Sequence, residues 1–529
     1  MADQIANEPR TLTIDNVVYP FYDGPKSPPG SLASKIALEE LETFKKFSSA
    51  TPDYLAGLIK ENAASLTTMD AITELYGKAQ DEIEMPMAMD NSDETFGEQR
   101  VTVKAFRLRK ADKKTLAATP LTLEDDDVRE ICGQSASELL KADNLFIEDF
   151  RDFAASFNDP KRKDKYVPNV VGYFCVSSDT DALLPLEIQL PDTELAYSPL
   201  DSDDEWTLAK MALETASINF HTAYHGAETH AVTIPLRVEA YRTMAETHPV
   251  RTLLLRHVFS DFALEMQAAI VLLNTSTALD LTFGWGATGT TRAVYALTED
   301  KVSLKQRAFH ADLKARGLDK MDGPKYAYYR AQYHDAIDTF VKAYVDAYYE
   351  NDRAVSRDVE LQNWATQCNE NIRHIEDFPQ EFTCKADVRR LLTHLIFTST
   401  VRHHAINGAA TWHGAVPPFS PAALWKPLPT KKLGENETLD LLPYTVPVKL
   451  LPAAMGLGAA IFRDVPESES ILSAYKAKPF SSESVLKQAI QDFDSALKAI
   501  EEDMQEREAD QLWPFLVLLP SRLPHYPWV

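Results

Sequence analysis

The chain has 529 residues, 45% hydrophobic and 25% charged, enough apolar material for a large buried core. Its 79 Asp and Glu against 54 Lys and Arg give a formal net charge of -25, a field that repels phosphate, so nucleic acid is excluded as a partner and membrane contact is at most peripheral. Four scattered cysteines without a C-x-x-C pair argue against a disulfide framework and a zinc ribbon; with neither a secretory leader nor a long apolar run, a reducing, cytoplasmic setting is expected.

Residues 1–35 include the Pro-, Gly- and Ser-rich run YPFYDGPKSPPGSLASK, which predicts an extended arm, and 36–529 are expected to form one large domain. From about Leu32 to Ala79, and from Asp125 to Phe157, apolar residues recur at three- and four-residue spacing and predict helices. Between them, RVTVKAFRL alternates apolar and polar side chains and predicts a strand. The segment VVGYFCVSSDTDALLPLEIQL, about 170–190, holds two β-rich runs around a polar turn and predicts a hairpin. Beyond Trp206 helical patterning prevails over 206–247, 250–275, 325–350, 385–410 and 482–506, broken by Pro-rich loops. The expected fold is mainly α, a large single helical domain with a small antiparallel sheet.

Thirteen histidines are unevenly spread. One group is His221, His225 and His230; another is His394, His403, His404 and His413. Imidazole is the commonest ligand for iron, manganese, zinc or copper, so two clusters on separate helices point to a metal. For His248, His257, His310, His334, His374 and His394 the expectation is an ordinary hydrogen-bonded or surface role.

In VRHHAINGAA, His403 and Asn407 stand four apart, on one helical face, where both can reach one ion. His225 and His230 are five apart, about 140° around an ordinary α-helix. A π-turn would bring them together. The pair His221 and His225 has the helix-compatible spacing, and geometry alone slightly favours it over His225 and His230. The terminal run LWPFLVLLPSRLPHYPWV is apolar and predicts a buried end, whose carboxylate then needs a partner.

Over roughly 90–529 the sequence resembles the lipoxygenase family. The stretch WTLAKMALETASINFHTAYHGAETHAVTIPLRVEAYRTMAETHPVRTLLLRHV carries the family's pattern at Trp206, Ala209, Lys210, His225, His230, Arg242, His248, Pro249 and His257. THLIFTSTVRHHAINGAATW is similar to the second metal helix, with His403 and Asn407 in ligand positions. The resemblance implies a lipoxygenase-like catalytic domain over 36–529, in a compact form without the N-terminal β-barrel domain. It implies one iron ion, with manganese the alternative, held by His225, His230, His403, Asn407 and the carboxylate of Val529. It leaves His221 in reserve and places Ala268, Leu272 and Leu279 along the substrate channel.

The implied reaction is dioxygenation, by molecular oxygen, of a polyunsaturated fatty acid such as linoleic or arachidonic acid. Ala268 implies an S-configured hydroperoxide. The family's glutamine three residues after the asparagine is Ala410 here, and the arginine after the stereocontrol position is Ala269, so regiochemistry does not carry over. Hydroperoxide isomerisation, another polyene substrate, and a non-catalytic metal-containing lipid binder are the alternatives.

Overall fold

Residues 203–225 carry small and apolar side chains on every face, so a helix formed by them has to be enclosed. In the computed structural model, helix Asp203–His225 buries every residue between Glu205 and His221 except Thr207. Its buried polar groups are matched. Lys210 donates to Asp93 at 2.9 Å, Thr215 to the Pro421 carbonyl at 2.9 Å, and Asn219 to the Ala422 carbonyl at 2.8 Å. Glu214 pairs with Arg100 and Lys104, and Arg100 lies 3.2 Å from Glu148. Breaking such a buried pair leaves an uncompensated charge and costs about 3–5 kcal/mol, so these contacts fix how neighbouring segments seat on the helix.

The structure describes residues 12–14, 17–19, 38, 40–42, 51–83, 91–268, 272–299, 301–319, 325–411, 419–434, 437–461, 465–509 and 514–527. Within the expected arm, β1 (Leu12–Ile14) and β2 (Val17–Tyr19) pair antiparallel. The rest of residues 1–35 lies outside the described residues. Where the domain is expected to begin, Glu40 is buried against Arg237 and accepts from the Ala263 amide at 3.1 Å.

The sheet is an antiparallel meander in the order β3 (Arg109–Lys110), β4 (Leu145–Asp149), β5 (Val171–Val176), β6 (Leu183–Leu190) and β7 (Leu195–Tyr197). β5 and β6 are the expected hairpin. Strand alternation divides their side chains between two cores. Leu145, Ile147, Val171 and Tyr173 face Val128 and Leu139 of helices Asp125–Cys132 and Ala136–Lys141. Phe146, Phe174 and Ile188 join the main core with helix Asp203–His225. At Gly172 a Cβ would fall 2.6 Å from Leu213, so the missing side chain is what lets β5 lie against that helix.

Three expectations are corrected. The helix expected over 125–157 is broken by the left-handed Gly133 (φ 75°) and by β4, where pairing with β5 overrides the local pattern. RVTVKAFRL is no strand: Arg100 and Val101 close helix Asp93–Val101 and turns follow. Its alternation reflects Arg100 and Lys104 turned inward to Glu214. The cysteines are not all free, since Cys132 and Cys175 form a disulfide with Cα atoms 6.4 Å apart, joining helix Asp125–Cys132 to β5.

The helical half follows its patterning. Helices run Ala231–Thr243, Pro249–His257, Asp261–Gln267, Lys325–Tyr348, Lys385–Phe397, His403–Thr411 and Lys487–Glu508. No helix among the described residues is long and apolar enough to cross a membrane.

Candidate metal centre

Gly226–His230 is a π-turn between helices Asp203–His225 and Ala231–Thr243, with the Ala231 N–H reaching back to the Gly226 carbonyl. Its i to i+5 bonding returns His230 to the face of His225. Their Nε2 atoms lie 3.2 Å apart and their ring centroids 4.8 Å. Pro235, one turn on, cannot donate to the Ala231 carbonyl, and His374 Nε2 donates to that oxygen instead, at 2.6 Å.

A second π-turn, Thr398–Arg402, separates helices Lys385–Phe397 and His403–Thr411, with the His403 N–H on the Thr398 carbonyl. It delivers the His403 ring to 4.6 Å from that of His225 and 5.2 Å from that of His230. One ligand atom from each of the three imidazoles falls within 4.8 Å of the others. Asn407 is half-buried one turn beyond His403 on the same helix.

His403 is fully buried and neither of its ring nitrogens has a hydrogen-bond partner. Burial, reinforced by the neighbouring imidazoles, holds His225 and His403 well below the usual histidine range. They are therefore neutral and keep lone pairs. An unsatisfied buried nitrogen is costly unless something accepts that lone pair, and a cation does so. The 3.2 Å between His225 and His230 is roughly the spacing of two nitrogens each about 2.1 Å from a shared ion. The donor set fits a non-haem metal.

His221 is not part of this group. Its Nε2 accepts the Phe106 N–H at 3.3 Å and its Nδ1 meets the Ser217 carbonyl at 2.7 Å, so both nitrogens are occupied elsewhere. Ordinary roles hold for His248, 3.0 Å from Asp358, and for His257, between the His525 carbonyl (2.6 Å) and Tyr475 (2.7 Å).

Two acidic residues at the site carry no spacing signal in the sequence. Asp261, fully buried, places a carboxylate oxygen 3.4 Å from His230 Nδ1, on the ring edge away from His225. Burial lifts its neighbour Glu265 to about 7. Glu228, inside the first π-turn, pairs with Arg307 and lies 3.7 Å from Arg402.

The described chain end runs inward: His525 and Tyr526 are buried and the Pro527 carbonyl accepts from Ser260, beside Asp261. Val529 lies outside the described residues. Of the expected channel residues, Leu279 is buried in an apolar cluster with Ile218, Phe283 and Leu457, and Leu272 packs on that cluster. Ala268 is half-buried at the end of helix Asp261–Gln267, its carbonyl accepting the Leu273 N–H at 2.7 Å.

The manganese lipoxygenase of Colletotrichum gloeosporioides is 26% identical over 82% of this chain and 74% of its own length. That of Pyricularia oryzae is 26% identical over 94% of this chain and 85% of its own. A solved manganese lipoxygenase structure superposes with a TM-score of 0.82 at 22% identity, covering 98% of this chain and 94% of that one. The family model described as Lipoxygenase matches residues 101–514, and the chain belongs to the lipoxygenase family, metal-dependent dioxygenases of polyunsaturated fatty acids.

Proposed function

We propose that His225, His230, His403, Asn407 and the terminal carboxylate of Val529 hold the catalytic metal. The substrate is a fatty acid with a CH2 between two cis double bonds, linoleic or arachidonic acid among them. The observation that carries this reading is the convergence of three imidazoles around buried, unpartnered nitrogen. The Ser260 contact to Pro527 supports the fifth ligand, since two further residues reach about 7 Å. Relatives named manganese lipoxygenases favour manganese over the iron expected first.

When bound, the metal supplies the one-electron chemistry that removes a hydrogen atom from that CH2. The protein's part is positional. The two π-turns aim imidazoles from separate helices at one point, and burial keeps His225 and His403 deprotonated. Leu272 and Leu279 support an apolar channel wall that excludes water, and alanine at position 268 goes with an S-configured product. Membrane contact is at most peripheral. The Cys132–Cys175 bond favours an oxidising compartment over the expected cytoplasm.

Elemental analysis beside oxygen uptake on a panel of polyunsaturated acids tests the reading. The expected result is one manganese per chain and conjugated-diene absorbance from dienoic acids. Metal-loaded protein that forms no conjugated diene from any of them overturns it.

A further inference from the structure

Among the described residues a second group of imidazole and carboxylate donors converges away from the catalytic centre: His310, His334 and Asp335, with one donor atom from each inside 4.8 Å of the others. His310 stands on helix Phe309–Arg316, while His334 and Asp335 belong to helix Lys325–Tyr348. The two imidazole centroids are 4.9 Å apart with planes crossing at 77°. His334 Nδ1 is shielded from solvent and has no hydrogen-bond partner, and Asp335 Oδ1 lies 3.7 Å from it, beyond hydrogen-bond reach. An unpartnered nitrogen this close to a carboxylate and a second imidazole has the surroundings of a ligand.

The His334 ring is held in place. It stacks on Phe309 at 5.8 Å and meets Phe397 edge-on at 5.7 Å, whereas the His310 and Asp335 side chains are exposed. One fixed donor and two exposed ones can close the 4.8 Å span to the roughly 3–4 Å between ligand atoms that bind one ion at about 2.0–2.2 Å. Two imidazoles and a carboxylate are borderline donors, suited to zinc rather than to calcium or magnesium, which take oxygen.

We propose that His310, His334 and Asp335 form a surface site for a divalent transition-metal ion of the zinc class, separate from the catalytic metal. Its occupant ties helix Phe309–Arg316 to helix Lys325–Tyr348. Through Phe397 it also braces the helix that leads, six residues later, into His403.

The test uses enzyme that retains its catalytic metal, freed of loosely held ions and titrated with Zn2+ by equilibrium dialysis. His310→Ala and Asp335→Asn are compared with the parent; both positions are exposed and outside the catalytic centre, so folding is checked by retained oxygen uptake. The parent is expected to take up one further zinc and to melt at higher temperature with it. Each variant is expected to bind that zinc at least about tenfold more weakly and to lose the thermal shift. A parent that binds no zinc beyond its catalytic metal, or a His310→Ala variant that binds it as the parent does, overturns the proposal.

Discussion

Glu228, between the two histidines of the first π-turn, lies 3.7 Å from Arg402, the last residue of the second. Both side chains are 2% exposed, and Arg307 completes the pair from a third segment, its guanidinium also on Tyr224 at 3.1 Å. The two distorted turns that aim the histidines are thus joined by a buried charge cluster, and the position of His403 relative to His225 depends on it. Glu228→Gln leaves two arginines without their counter-charge. The expected loss is about 3–5 kcal/mol in urea unfolding, together with lower metal content. Unchanged stability and metal content would show that the cluster does not hold the turns together.

Asp261 acts on His230 from behind. With a metal on Nε2, a carboxylate 3.4 Å from Nδ1 would orient the ring and raise the electron density available to the ion. Asp261→Asn should release metal to a chelator about 10–100-fold more readily while the metal-free protein unfolds at nearly the same denaturant concentration. Equal chelation rates would assign Asp261 a packing role only.

Stability should fall on mild acidification. Burial holds His221, His257 and His394 down at about 3, against the ordinary 6.5. Below pH 6.5 the unfolded chain takes up protons at these positions while the folded one does not. Their contribution is therefore complete above 6.5 and is lost as pH falls towards 3, at about 1.4 kcal/mol per pH unit for each histidine. Urea midpoints between pH 7 and 5 measure the slope, and His257→Gln should reduce it by one proton's worth. A flat profile would contradict the burial of these rings.

Reducing the Cys132–Cys175 bond should destabilise the sheet side of the molecule. The bond closes a loop of 43 residues, and the unfolded chain regains about 4 kcal/mol of conformational freedom when it opens. A drop in melting temperature with reductant, absent in Cys132→Ser, is the expected signature.

The histidines of the candidate metal centre were legible through the family resemblance, since spacing alone slightly favoured His221 with His225. His225 and His230, five apart, share a face only through a π-turn, and the structure forms one there. The second π-turn was not legible, since His403 and Asn407 keep ordinary helical spacing and the distortion lies in the TSTVR run before them. The long helices from 203 onward lie where the sequence predicts helix. Residues 100–108 and 145–149 were misread because what decides them is distant: Glu214 turns Arg100 and Lys104 inward, and β5 recruits Leu145–Asp149 as its neighbour. Asp261 and Glu228 meet the site through tertiary contacts that no local pattern encodes. The Cys132–Cys175 pairing is equally invisible at its separation of 43.

Anomalous diffraction at the manganese and iron absorption edges of the loaded protein is the most direct measurement. The expected result is one strong peak bonded to a ring nitrogen from each of His225, His230 and His403, with Asn407 and the Val529 carboxylate completing the shell. A peak elsewhere with that space empty, or coordination through His221, would contradict it.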